Sequence, residues 1–345
     1  MQRRLHNALA AAGAGIRPTM NHRSERSKLA TPGAVKPIWS LIFGFAIAAM
    51  LAEFAAGIGF RPHEIVAVVL IVSAALGLSA FYTVKRPDDR IARLFRAAVE
   101  LFLLSFLCGS LSYAATSLDR PLWDGVFLAW DQALGFDWRH WLGVLDGHPK
   151  LNMLLVLAYH SMWPQLALAI IALVTIRDYR RLDVLLLAFG FSAIVTVIIA
   201  GLMPALSPLA YFGITPDDHP HIALAVPREF EMQALALRSG AMRVIELGSA
   251  QGLVTFPSFH TVAAVLLLLG FRQVPWVRWM SLCLNGLMLV SIPIEGSHYL
   301  VDVIAGIFVA LLAWAAALAI INATGPLRMS ALGARAPGRI AVRSS

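Results

Sequence analysis

His298 and Asp302 stand four residues apart in the stretch SIPIEGSHYLVDVIAG, residues 291–306. On a helix that spacing puts both side chains on one face. A carboxylate so placed can accept the Nδ1 proton of His298 and leave Nε2 free and aimed outward. A second histidine, His260, follows Ser258 by two residues in TFPSFHTVAAVLLLLGF. Serine is a good N-cap, so Ser258 predicts a helix with His260 in its first turn. Ser297 can cap a helix that begins at His298 in the same way. Helix N-termini favour anions, because their unpaired N–H groups and dipole point at them. The expected constellation is two histidines, one oriented by a carboxylate, beside an anion-binding place to which Ser258 contributes. Glu295 and Ser297 are further candidates for substrate contact.

Phosphoryl transfer through a covalent phosphohistidine uses every part of this set. His298 would attack phosphorus as a nucleophile activated by Asp302. His260 would protonate the departing alkoxide and then activate the acceptor, general acid–base help of about 10²–10⁴-fold. Arginines would neutralise the phosphoryl oxygens as charge spreads over them. The scheme needs no metal and no other cofactor. An H-x-H at His219 and His221, within DDHPH, is too small a ligand set to predict a metal site.

These residues must be held by membrane helices. The chain of 345 residues is 59% hydrophobic and 14% charged, against about 25% charged for a soluble domain. Apolar runs recur at 38–60, 64–84, 94–117, 151–176, 182–203, 258–272, 276–294 and 298–322. About twenty apolar residues are needed for a helix to cross a bilayer, and no period-2 alternation argues for strands. The expectation is an all-α polytopic membrane protein with about eight transmembrane helices. With both termini cytoplasmic, most of the 28 Lys and Arg fall in inner segments at every loop, as the positive-inside rule requires. The net charge of +8 is therefore a topological signature and not a nucleic-acid footprint. Both histidines then start their helices at the outer membrane surface.

Residues 1–36 read as a basic cytoplasmic tail without a secretory signal, the first span serving as an uncleaved anchor, and 323–345 as a second basic tail. Cys108 and Cys283 lie in separate apolar segments and read as small buried hydrophobes. Two outer loops, 118–150 and 204–256, interrupt the rhythm. In the first, Trp123, Phe127, Trp130 and Leu134 fall at helical spacing and predict an amphipathic interfacial helix, or a lid. The second supplies the outside cations nearest the histidines: Arg238 and Arg243, with Arg228 behind them, are the candidate phosphate-binding residues. His160, inside the fourth span, either lines a cavity or is a satisfied interior histidine.

At its two histidine motifs the sequence resembles the type 2 phosphatidic acid phosphatase superfamily. That family's third signature, S-R-x5-H-x3-D, is matched by Ser291, His298 and Asp302, followed by DVIAG. Its second, P-S-G-H, is matched by Pro257, Ser258 and His260. The resemblance implies a six-helix core over 94–322, with two helices, 37–93, added in front. It implies the same roles for the two histidines. The departures are Ile292 in place of the arginine, Phe259 in place of the glycine, and no K-x6-R-P signature in 204–256. That altered pattern, with DQALGFDW and AYHSMWPQ, is more similar to the inositol phosphorylceramide synthase branch, whose members pass the phosphoryl group to an alcohol.

The sequence thus predicts an integral membrane enzyme that transfers or hydrolyses a lipid phosphoryl group at the outer face of the cytoplasmic membrane. Its partners would be a membrane lipid substrate and the bilayer. Water and an alcohol remain open as acceptors, as do phosphatidic acid, a polyprenyl diphosphate and an inositol or ceramide lipid as substrates. The rival class is a transporter with a His/Asp proton relay, which usually shows inverted repeats and interrupted midplane helices; no repeat is visible.

Overall fold

The computed structural model of the protein describes residues 37–324, apart from 216, 217, 220, 221, 223, 227, 228, 250, 251 and 276. The tails expected over 1–36 and 323–345 therefore lie outside the described residues, save 323–324, as do Arg228 and His221.

The first three long helices are α1 (Pro37–Ala56), α2 (Pro62–Val84) and α3 (Asp89–Thr116). Proline begins α1 and α2, where its missing N–H costs nothing, and Asp88 caps α3 by accepting from the N–H groups of Arg90 and Ile91. Two short helices follow, α4 (Asp124–Ala133) and α5 (Trp138–Asp146), then α6 (Pro149–His160), α7 (Met162–Thr175) and α8 (Tyr179–Leu202). The long second loop contains α9 (Pro208–Phe212) and α10 (Glu229–Arg238). The chain closes with α11 (Phe259–Phe271), α12 (Val277–Glu295) and α13 (Leu300–Thr324).

This is an all-α polytopic membrane protein. Among the described residues α1, α2, α3, α8, α12 and α13 are each long and apolar enough to cross a bilayer. The run expected over 151–176 is not one straight helix. It breaks at Ser161 into α6 and α7, which meet at 45°. Pro164 accounts for the break, because it has no N–H to give the His160 carbonyl and its ring crowds that position. The run expected over 258–272 forms α11, whose 13 residues rise only about 20 Å. It is instead sheathed by α7, α8, α12 and α13, so that Thr261 through Leu267 are almost wholly buried.

The helix α8 is the axis of the bundle and packs against α1, α3, α11 and α13. The main core gathers Leu104, Phe189, Leu266 and Met288 from four helices. By contrast α2 leaves Val66, Val69, Leu70 and Ile71 exposed, as a lipid-facing helix does. The second loop is tied to the first two helices. Strand β1 (Gly59–Phe60) pairs in parallel with β2 (Val244–Ile245). Beside it Arg61 pairs with Glu246, and the Leu247 N–H donates to Glu64 at 3.1 Å.

Two sequence expectations change. Arg93, one residue before the apolar run expected over 94–117, is buried in α3 and paired with Glu100 at 2.7 Å and Asp183 at 2.5 Å; a buried cation needs such partners. Cys283 lies exposed on the outside of α12, whereas Cys108 is buried. The helix α4 forms where the spacing predicts an amphipathic helix. Phe127 is fully buried while Trp130 and Leu134 are exposed, and the inward face of α4 carries Asp124 and Asp131.

Candidate active site

The Ser258 Oγ accepts from the Thr261 N–H at 3.4 Å, so Ser258 caps α11 and places His260 in its first turn. Ser258 is itself fully buried. The other half is built differently. Helix α13 begins at Leu300, and Ser297 does not cap it. Ser297 turns the chain at a left-handed φ of 48°, and its Oγ accepts from the Leu209 N–H at 3.3 Å. The His298 N–H closes the end of α12 by donating to the Pro293 carbonyl at 3.0 Å. The cap of α13 arrives from α4: the Asp131 carboxylate accepts from the N–H groups of Leu300 at 2.8 Å and Val301 at 3.0 Å. His298 therefore sits in the turn between α12 and α13, not in a helical first turn.

The His298–Asp302 pair forms all the same. His298 Nδ1 lies 3.0 Å from Asp302 Oδ2, an oxygen that also accepts from the Tyr299 N–H at 2.9 Å. An ionised carboxylate only accepts, so Nδ1 is the donor and Nε2 is left free. Asp302 is fully buried and His298 nearly so.

His260 is held by an aromatic face. The Tyr159 ring, from the end of α6, stacks on the His260 imidazole with centroids 3.9 Å apart and planes 18° from parallel. Gly296 lets Tyr159 and His298 approach together, because a Cβ there would stand 2.8 Å from His298 Cδ2 and 2.9 Å from Tyr159 Cε2. His298 and the ring that stacks on His260 thus both flank Gly296.

His260 and His298 line one cavity of about 660 Å³, a volume typical of small-molecule sites. His160 and His219 line it too, so His160 belongs to the wall of the site. Much of the remaining wall is apolar, including Met162, Trp163, Leu206 and Ile214. A histidine-rich region in an otherwise greasy chamber suits an amphiphile with a polar head.

A family model described as PAP2 superfamily matches residues 126–316, which include His260, His298, Asp302 and Asp131. The chain belongs to the PAP2 superfamily. Membership supports a phosphatase- or phosphotransferase-type enzyme of lipids. Comparison with curated proteins gives no match, and comparison with solved structures gives none.

Within this PAP2 chain the expected phosphate-binding arginines are not brought to the histidines. Arg238 ends α10, which packs on α3, and there it pairs with Asp119 at 2.9 Å and donates to the Arg120 carbonyl at 2.7 Å. Arg243 donates to the Leu237 carbonyl at 3.4 Å beside the β1–β2 pair. Neither lines the cavity, and neither does the buried cap Ser258. Ser297 does line it. Glu295 is fully buried, accepts from Asn152 Nδ2 at 2.7 Å, and through its carbonyl holds the Val226 N–H at 3.1 Å. It braces the cavity wall from behind and is not on the wall itself. Among the described residues no group of three or more His, Cys, Asp or Glu is placed to hold a metal ion.

The candidate site also contains residues that sequence reasoning missed. Asp131 carries the α13 cap, and Asp124 accepts from the Ser207 N–H at 3.1 Å and the Tyr299 hydroxyl at 3.0 Å. Burial pushes both carboxyls above the usual carboxylate range, against the pull of their N–H and hydroxyl donors. The signal was present as DQALGFDW, but a cap delivered from 169 residues away has no local pattern.

Proposed function

We propose that the protein is an integral membrane enzyme that transfers a lipid phosphoryl group through a phosphohistidine on His298. The observation that carries this reading is the buried His298–Asp302 pair at 3.0 Å opening on a cavity that it shares with His260. His298 Nε2 attacks phosphorus and the bond from phosphorus to the leaving alkoxide breaks. His260 gives that alkoxide its proton. Asp302 steadies the positive charge left on the His298 ring. In the second half, His260 takes the proton of the incoming water or alcohol as its oxygen attacks phosphorus and frees Nε2.

The alcohol acceptor is the reading we favour, as an inositolphosphotransferase-type enzyme. The sequence carries no arginine beside Ser291 and no K-x6-R-P segment in 204–256, the pattern in which it differs from the water-using phosphatases it otherwise resembles. The catalytic core is residues 94–322, with 37–93 as two added helices. The distribution of Lys and Arg supports cytoplasmic termini and a site at the outer face of the cytoplasmic membrane.

The test is purified protein in detergent with a panel of lipid phosphates and inositol phospholipids, beside His298→Ala. Free phosphate and new phospholipid species are both recorded. A new phosphodiester that appears without free phosphate and is lost in the variant supports the transferase. Phosphate release lost in the variant makes the enzyme a phosphatase. Activity unchanged by His298→Ala overturns the mechanism.

A further inference from the structure

The cavity holds a second histidine–carboxylate pair. His219 Nδ1 lies 3.2 Å from Asp146 Oδ2, and His219 lines the cavity that His260 and His298 line. The two partners come from separate parts of the chain. Asp146 ends α5, and His219 stands in the loop after α9. Local hydrogen bonds flank His219 on both sides. The Asp218 carboxylate accepts from the Thr215 N–H at 2.7 Å and the Thr215 hydroxyl at 2.8 Å, and the His219 carbonyl accepts from the Ile222 N–H at 3.2 Å.

An anionic phosphoryl group in a largely apolar chamber requires positive charge, since a charge taken out of water is costly unless paired. Among the described residues of the wall, the side chains able to supply it are histidines 160, 219, 260 and 298. Two of these make and break bonds in the reading above. Of the remaining two, His219 has a carboxylate on Nδ1, which holds the ring and points the other ring nitrogen away from Asp146. The ionisable groups around it are Asp146 from α5, Glu231 from α10, His160 at the α6–α7 bend, His260 from α11, His298 from the α12–α13 turn, and its neighbour Asp218.

We propose that His219, held by Asp146, is a substrate-binding residue whose imidazolium contacts the phosphoryl oxygens, so that capture of the anionic headgroup is coupled to proton uptake. This rests on the phosphoryl-transfer reading of the same cavity. A guanidinium keeps its charge at every working pH, whereas an imidazole changes charge between pH 5 and 8. Headgroup binding by this protein therefore weakens as the medium turns alkaline.

The test uses the full chain in detergent and a dioctanoyl phosphonate analogue of phosphatidic acid, whose phosphorus–carbon bond cannot be displaced. Its Kd is measured calorimetrically at pH 6 and pH 8 for the wild type, His219→Gln, His219→Arg and Asp146→Asn. The wild type is expected to bind roughly tenfold or more weaker at pH 8, the loss of one charge-assisted contact. His219→Arg removes that pH dependence and binds at both values. His219→Gln binds weakly at both, and Asp146→Asn falls between it and the wild type. No binding by the wild type at pH 6, an unchanged Kd and pH response in His219→Gln, or a wild-type response retained in His219→Arg each overturns the proposal. Turnover of a lipid phosphate by His298→Ala, measured separately, sinks the phosphohistidine reading, whichever way His219 behaves.

Discussion

The backbone N–H of Ser258 donates to the backbone carbonyl of Asp302 at 3.1 Å. One residue caps the helix that carries His260, and the other orients His298. Two motifs that lie some forty residues apart in sequence are therefore joined by a main-chain bond, which ties the start of α11 to the start of α13. One turn further along α13, Gly306 allows this contact. A Cβ there would stand 2.7 Å from the Ser258 carbonyl and 2.8 Å from Thr261 Cβ.

Gly306→Ala is therefore expected to force α11 and α13 apart. Backbone on one side and a buried β-branched residue on the other cannot yield cheaply, so the cost is about 1–3 kcal/mol in stability, with a larger fall in kcat than in headgroup affinity. Thermal unfolding in detergent and steady-state kinetics check both. A variant as stable and active as the wild type contradicts the close approach.

Asp131→Ala removes the cap of α13 and leaves the partly buried Leu300 N–H and the buried Val301 N–H without their acceptor. The expected loss is about 1–3 kcal/mol, and kcat falls because His298 loses the turn that aims it. Asp131→Asn, which can still accept one of the two bonds, should lie between. Unfolding midpoints for the three proteins decide it.

The same carboxylate predicts a pH dependence. Burial raises Asp131 and Asp124 above the ordinary carboxylate range in the folded protein. A raised folded value means that the native state keeps protons the unfolded chain releases. This contribution to stability is complete below the unfolded value of about 3.9 and is lost as pH rises through the raised folded one. The wild-type midpoint should therefore decline over that window relative to Asp131→Asn. Parallel midpoint-against-pH curves contradict it.

Tyr159 is expected to matter through its ring. Stacking is worth about 0.5–1.5 kcal/mol, so Tyr159→Leu should lower kcat about three- to tenfold as His260 loses its orientation. Tyr159→Phe keeps the stack and should stay close to wild type. A phenylalanine variant as impaired as the leucine one would assign the role to the hydroxyl.

Much of this architecture was legible in the chain. Uniformly apolar runs of helical length announce themselves, and both the i, i+4 spacing of His298 and Asp302 and the Ser258 cap are local patterns that survive folding. The misplacements are all non-local. Ser297 looks like a cap, but the Asp131 carboxylate takes the N–H groups that it would have needed. Arg238 looks free until Asp119, at the end of another helix, claims it. Trp130 and Leu134 share a helical spacing with Phe127, yet the helix also turns two carboxylates inward: Asp131 to the bare N–H groups of α13, and Asp124 to the N–H groups of Leu206 and Ser207 and the Tyr299 hydroxyl. His219 meets Asp146 only when the second loop folds over the end of α5.

The most direct test is to trap the intermediate. Purified protein is mixed with a ³²P-labelled lipid phosphate, quenched in alkali within one turnover, digested and analysed by mass spectrometry. The account predicts an alkali-stable, acid-labile phosphoryl group on His298, absent from His298→Ala together with turnover. Label on another residue, or full turnover by His298→Ala, would contradict it.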